Sequence, residues 1–370
     1  MPAARSSART SATSSARPTS SSALVPAGAD EPIDSKITVA LDGRGVEKGP
    51  EVLAEGVRLA LADGIALRVF GDPAGLSPVA QAGAEVIEAP GEISNEEDPV
   101  GAVRSREDAS IVMAAADVAE GNSQALVSAG PTGATMAAAL FALRRLSGVR
   151  RPSLAVQLPT VGHDGPPTLF LDVGANSEAR TQDLVQSAVM GAAFSRAVLG
   201  VAVPRVALLS VGEEGKKGTP TVIEAHAELL GMDGINFTGN VEGRDLLSGV
   251  ADVIATDGFT GNIALKTLEG TAKTVGSAVG SAARSNPVAA VGGLLLRPAL
   301  GGLRRKMEPD STGGAILLGV RGVAIVGHGS SGPEGIANAI RLAARSVSER
   351  ATEKTSELLA EAGATRASLR

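Results

Sequence analysis

The amino-acid sequence predicts an α/β protein, a mostly parallel sheet wound with helices on both faces. Two observations carry this. Short apolar runs recur along the chain, and most open into a glycine-rich turn followed by a helical pattern. Continuous apolar runs are what a parallel sheet covered on both faces requires, and strands alternating with helices mark a doubly wound arrangement. A third observation sets the chemistry of the interior. The chain has 46 Gly, 6 Phe, and no Cys, Trp or Tyr, so the core must be built from Ala, Val, Leu and Ile.

Residues 1–35 are rich in Ser, Thr, Ala and Arg, and Asp30 is the first acid. Arg5, Arg9 and Arg17 in an acid-free stretch are similar to an organelle transit peptide, but the preferred reading is a disordered tail. The first strand is expected at Lys36–Leu41, ending in the turn Asp42-Gly-Arg-Gly45. A helix follows from Pro50 to Ala62, with proline at the first position, where a missing N–H costs nothing. The next strand is Ile65–Phe70, closed by Gly71-Asp72-Pro73. Further strands are expected at Gln124–Ser128, Thr168–Leu171, Arg205–Ser210, Ala251–Thr256 and Val323–Val326. A long helix starts at Pro333 and passes Arg341 and Arg345. The domain is expected to span 36–348, with 349–370 a charged, Ala-rich tail that frays.

Composition excludes several functions. The 370 residues are 44% apolar, enough for a sizeable core, so the chain is not wholly disordered. A net charge of −6 and 2% aromatics argue against a nucleic-acid partner. Without cysteine there is no disulfide, thiolate metal site or thiol nucleophile. No run of 18 uninterrupted apolar residues reads as a membrane span. No turn is read as a dinucleotide GxGxxG in its proper context, and P-loop, HExxH and GxSxG patterns do not occur.

Six strands are expected to end in polar, glycine-rich turns at their carboxyl ends, where ligands bind in open α/β sheets. These are Asp42-Gly-Arg-Gly45, Ser128-Ala-Gly-Pro-Thr-Gly133, Asp172-Val-Gly-Ala-Asn176, Val211-Gly-Glu-Glu-Gly-Lys-Lys-Gly218, Asp257-Gly-Phe-Thr-Gly-Asn262 and Gly327-His-Gly-Ser-Ser331. Glycine lets backbone N–H groups approach an anion, and a following helix N-terminus adds partial positive charge. With no nucleotide motif, a small phosphate is the expected anion. Lys217 reads as its cation or as a solvated lysine. Asn262 reads as a helix cap or, with Lys266 one turn on, as an anion cradle. Asp42, Asp172 and Asp257 each end a strand. They suit Mg²⁺ or Asx caps, and caps are preferred, so no metal or cofactor is expected. His163 lies in a Gly/Pro-rich loop, and His226 reads as packing or surface. His328, between two glycines after a strand, is the best histidine for proton transfer or hydrogen bonding.

Together the motifs resemble those of bacterial phosphate acyltransferases, over about residues 36–346. The resemblance rests on Ser128-Ala-Gly-x-Thr-Gly133, Leu171-Asp-Val-Gly-Ala-Asn176, Gly239-Asn-Val-Glu-Gly-Arg-Asp245, Thr256-Asp-Gly-Phe-Thr-Gly-Asn262 running on to Gly270, Gly313–Gly319 and His328-Gly-Ser-Ser331. It implies a three-layer α/β/α fold of the isocitrate and isopropylmalate dehydrogenase type. It also implies a cytoplasmic homodimer in peripheral contact with the inner membrane face. The implied reaction transfers a fatty acyl group from acyl-acyl-carrier protein to inorganic phosphate, giving acyl phosphate for phospholipid synthesis. Lys217 and Asn262 match site motifs of that family and are the expected catalytic pair. Gly133, Asn176, Arg244, Asp257, Gly261, Lys266 and His328 are expected around phosphate and substrate, with Gly133 and Gly261 supplying backbone N–H groups.

The chain departs from the family pattern in three turns. Where the family reads Asp-Ala-Met-Gly-Gly-Asp-His-Ala-Pro, residues 42–50 carry Val46, Glu47 and Lys48. An Asn of the second motif is Pro131, and the Asn after Lys-Gly is Thr219. Since Val46 disfavours φ > 0, the first turn must take a different shape. Two alternatives stay open: a phosphotransacetylase-like enzyme using acyl-coenzyme A, and a non-catalytic member that binds carrier protein or membrane. The stretch 287–306, apolar and ending in Arg304, Arg305 and Lys306, suits an anionic membrane surface, a second subunit or the acidic carrier.

Overall fold

The computed structural model describes residues 37–161, 165–307 and 309–368. The expected tail 1–35 and His163 lie outside the described residues. The strands are β1 (Thr38–Asp42), β2 (Ala66–Gly71), β3 (Glu85–Glu88), β4 (Ala125–Ser128), β5 (Ser153–Leu158), β6 (Thr168–Leu171), β7 (Arg205–Leu209), β8 (Asn236–Val241), β9 (Val253–Ala255), β10 (Ala315–Leu318) and β11 (Val323–Val326). They form one eleven-stranded sheet in the order β3-β2-β1-β4-β11-β10-β5-β6-β9-β7-β8. The helices are α1 (Pro50–Ala62), α2 (Ser77–Gln81), α3 (Pro99–Ser105), α4 (Ser110–Ala119), α5 (Thr132–Leu143), α6 (Thr181–Ala197), α7 (Pro220–Leu230), α8 (Gly258–Ala282), α9 (Pro287–Met307), α10 (Pro333–Ser348) and α11 (Ala351–Glu361).

All the expected strands form. Strand side chains alternate between two cores, which makes the three layers. Val39 and Leu41 of β1, Val127 of β4 and Leu169 of β6 enter the core beneath α1, α6, α7 and α10. Ala40, Leu126 and Phe170, one residue out of phase, enter the core beneath α3, α4 and α5. Alanines 114, 115, 134, 137, 138 and 139 line the second core, so small side chains bring these helices close and make up for the scarcity of aromatics. Gly56 serves the same end between α1 and α10, since a Cβ there would stand 2.8 Å from Ile336 Cβ.

Four strands escape sequence reading, for two reasons. The edge strands β3 (Glu-Val-Ile-Glu) and β8 (Asn-Phe-Thr-Gly-Asn-Val) are too polar to read as buried runs. The other two, β5 and β10, sit centrally but run against their neighbours. The remaining pairings are parallel.

These reversals divide the glycine-rich carboxyl-end turns between two edges of the sheet. Because β11, β10, β5 and β6 pair antiparallel in succession, β1, β4 and β11 point one way and β6, β9, β7 and β8 point the other. The turns after Asp42, Ser128 and Val326 therefore leave one edge, and those after Leu171, Ala255, Leu209 and Val241 leave the opposite edge.

The chain after Ser348 also differs from expectation. Instead of fraying, it turns at Arg350, which is left-handed at φ 54°, and forms α11. Ala351, Thr355, Leu358 and Leu359 are buried at helical spacing against α6. Gln186 of α6 then donates to the main-chain oxygens of Ala364 (2.7 Å) and Gly148 (2.8 Å). The high charge of this segment hides a narrow apolar stripe.

Candidate functional site

Asp42, Ser128 and the loop around His328 form the first edge. Asp42 is buried and accepts from Ser110 Oγ (2.6 Å), Ser128 Oγ (2.7 Å) and the Arg44 N–H (3.1 Å). Burial pushes its carboxyl above the usual range, and these donors offset that only in part. A raised folded-state pKa gives stability that is full below the unfolded pKa and lost as pH rises through the folded value. Asp42→Asn should therefore gain stability relative to the wild type as pH rises above the ordinary carboxylate range, read by melting at each pH. Positive φ in this turn falls on Gly45 (82°) and Gly49 (91°), not on Val46. The Val46 substitution is thus accommodated, and the Glu47 N–H donates to the Gly329 oxygen (2.9 Å). Pro131 is the residue before α5, where its missing N–H is not needed. Gly133 lies in the first turn of α5, against Pro99. Nδ1 of the exposed His328 receives the Ser330 N–H (3.2 Å), so the neutral ring carries its proton on Nε2.

Lys217, Asn262, Asn176, Arg244, Asp257, Gly261 and Lys266 all gather at the opposite edge. Strands β6, β9 and β7 end side by side, with Leu171 and Leu208 both in register with Ala255. The edge is built outward from Asp172. Its carboxylate accepts from the N–H groups of Leu154 (3.1 Å), Gly174 (3.1 Å), Ala175 (2.8 Å) and Asn176 (2.8 Å), and from Asn176 Nδ2 (2.8 Å). Burial raises its pKa, and these bonds oppose the rise. Asp172→Asn puts an amide where at least two of these donors need an acceptor. We expect a loss of about 2–5 kcal/mol, measured by chemical denaturation.

Several expected roles change on this edge. Both amide protons of Asn176 are taken, by Asp172 and by the Pro152 oxygen (2.7 Å), so this side chain shapes the turn. Asp257 caps α8, accepting the Thr260 N–H (2.8 Å) and hydroxyl (2.7 Å). Gly261 does not offer its N–H to a ligand, because that group donates to the Asp257 oxygen (2.9 Å). Its lack of a side chain instead lets α8 lie on the turn, since a Cβ there would overlap the Asp172 oxygen. Lys266 pairs with Glu269 (2.8 Å), and Arg244 with Glu213 (3.3 Å) and Glu242 (3.4 Å).

Two polar groups are left over. Asn262, exposed on the first turns of α8, faces Gly174 and makes no side-chain hydrogen bond among the described residues. The Lys217 ammonium, also exposed, has no ion pair among the described residues. Its loop leads into α7, where Thr219 caps by accepting the Val222 N–H (3.3 Å). Threonine thus does the capping that an asparagine would do here. A cation and a carboxamide without partners among the described residues, with two helix N-termini on one sheet edge, suit a small anion beside a polarised carbonyl.

Known proteins resemble this chain in sequence and in fold. The model of a family described as "Fatty acid synthesis protein" matches residues 37–354. A phosphate acyltransferase of Elusimicrobium minutum is 47% identical over 265 residues, covering 72% of this chain and 76% of that protein. Another, of Heliobacterium modesticaldum, is 43% identical over 320 residues, covering 84% and 94%. In fold the chain is similar to a phosphotransacetylase of Streptococcus pyogenes, with a TM-score of 0.57 at 18% identity over 87% of this chain and 96% of the other. The EutD phosphotransacetylase of Staphylococcus aureus is similar at 0.54 and 19%, over 85% and 95%. With a family model matching most of its length and relatives of this identity, the chain belongs to the phosphate acyltransferase family.

Proposed function

We propose that the protein transfers a fatty acyl group from acyl-acyl-carrier protein to inorganic phosphate, supplying acyl phosphate for phospholipid synthesis. The family match over 37–354 carries this reading. At neutral pH phosphate is already a nucleophilic anion, so orientation and charge stabilisation are the main requirements. A phosphate oxygen attacks the thioester carbon, the C–O bond forms, and the C–S bond breaks. The electron pair leaves on sulfur, and the thiolate takes a proton from solvent. Lys217 holds phosphate and offsets charge developing on the carbonyl oxygen, while Asn262 orients phosphate or the carbonyl. Palmitoyl-carrier protein incubated with phosphate should release free carrier thiol only when phosphate is present. Bound carrier without thiol release would make the protein a binding module. Equal release from palmitoyl-coenzyme A would favour the phosphotransacetylase-like alternative.

Homodimer formation and membrane contact belong to the same reading. Helices α8 and α9 leave Ile263, Val275, Val279, Val288, Val291, Leu294, Leu295 and Leu296 exposed. No helix among the described residues is long and apolar enough to cross a membrane. The leucines, followed in sequence by Arg304, Arg305 and Lys306, suit the surface of an anionic bilayer on the cytoplasmic side. Wild-type protein should float with phosphatidylglycerol vesicles, and the triple variant Leu294/Leu295/Leu296→Ser should not. Equal flotation would leave these leucines to a second subunit.

A further inference from the structure

We propose that Asn240 and His226 form a strut that fixes Lys217 from beneath its loop, making them positioning residues; this rests on the role given to Lys217 above. Asn240, at the end of β8, is only 6% exposed. Its Nδ2 donates to the Glu214 main-chain oxygen (3.1 Å), and the same oxygen accepts the Lys217 N–H (2.9 Å). The Lys217 carbonyl in turn accepts from Ser210 Oγ (2.9 Å). Both backbone polar groups of the lysine are therefore held, one of them through Asn240.

His226 of α7 completes the strut, with Nδ1 3.0 Å from Asn240 Oδ1. The proton positions follow from the partners. A main-chain carbonyl can only accept, so the Asn240 amide must turn its Nδ2 to Glu214 and its Oδ1 to His226. An amide oxygen also only accepts, so the proton sits on His226 Nδ1. The ring lies edge-on to Phe237 (5.1 Å between centroids, 79°). Its other edge supports the lysine loop, where a Cβ on Gly215 would stand 2.5 Å from Nε2. The strut thus ties β8, α7 and the loop after β7 into one unit. It narrows the range of a long, flexible side chain whose charge must meet a reacting oxygen, and small misplacements of such groups cost rate steeply.

The test is kinetic and spectroscopic. Asn240→Ala should lower kcat about tenfold, leave both KM values within about twofold, and cost nothing further in a Lys217→Ala background. His226→Leu should lower kcat in the same way. His226→Asn should restore it, because asparagine places an N–H donor as far from Cβ as Nδ1 stands. Equal proportional losses in both backgrounds, or no loss in the wild-type background, would overturn the proposal. Nitrogen-15 spectra of the imidazole judge the strut independently of Lys217. A Nδ1–H ring in the wild type that loses this preference in Asn240→Ala supports it, and a wild-type Nε2–H ring overturns it. A fully active Lys217→Ala enzyme alongside a Nδ1–H ring would refute the role of the lysine and leave the strut standing.

Discussion

Lys217→Ala should lower phosphate-dependent thiol release by roughly 10²-fold or more, the scale seen when an oxyanion-stabilising group is lost. Its ammonium has no carboxylate partner among the described residues, whereas Lys266 and Arg244 on the same edge are both paired. Removing it breaks no ion pair in the described structure, so the melting temperature should stay within about a degree or two of wild type. A loss of rate without a loss of stability distinguishes a chemical role from a structural one. A stably folded variant with full activity would remove Lys217 from the mechanism. Lys217→Arg should recover only part of the rate, because a planar fork replaces a compact charge.

Gly261→Ala should damage stability and rate together. The added methyl would overlap the Asp172 carbonyl oxygen and stand 3.0 Å from Thr256 Cγ2, both on the rigid end of the sheet. The N-terminus of α8 must then lift, carrying Asn262 away from Gly174. We expect a loss of about 1–3 kcal/mol, typical of overpacking, and a fall in kcat of about tenfold. Gly243→Ala is the stability control: nothing lies within 4 Å of a Cβ there, so its melting should stay within about 0.5 kcal/mol of wild type. If the two variants melted alike, the close contact at Gly261 would be refuted.

Seven of the eleven strands and the polar turns were legible in the sequence because buried parallel strands are apolar on both faces and glycine marks the turns they enter. Pro50 and Pro333 announced their helices, and both sit at the helix start. Strands β5 and β10 were not read at all, and even an apolar run that is recognised carries no sign of which way it threads a sheet. Gly133 and His328 were grouped with Lys217 through the family resemblance, and the strand directions place their turns on the other edge. The structural duties of Asn176, Asp257 and Gly261 were hidden as well. An asparagine, an aspartate or a glycine in a turn looks the same whether it meets a ligand or the protein's own backbone. His226 read as ordinary packing, since its partner Asn240 is fourteen residues away on an edge strand too polar to recognise.

The strand order also bears on how the chain is made. Strand β4 pairs on one side with β1 but on the other with β11, and β11 emerges only after β5 to β10 have been synthesised. A nascent chain on the ribosome therefore holds an open β4 edge throughout that interval, as well as an α1 surface still waiting for α10. Strands β1 to β4, and later β6 to β9, are each contiguous in sequence and pair among themselves, and β10 and β11 join the two groups last. A ribosome stalled before β11 would therefore expose the β4 edge to aggregation and to chaperones.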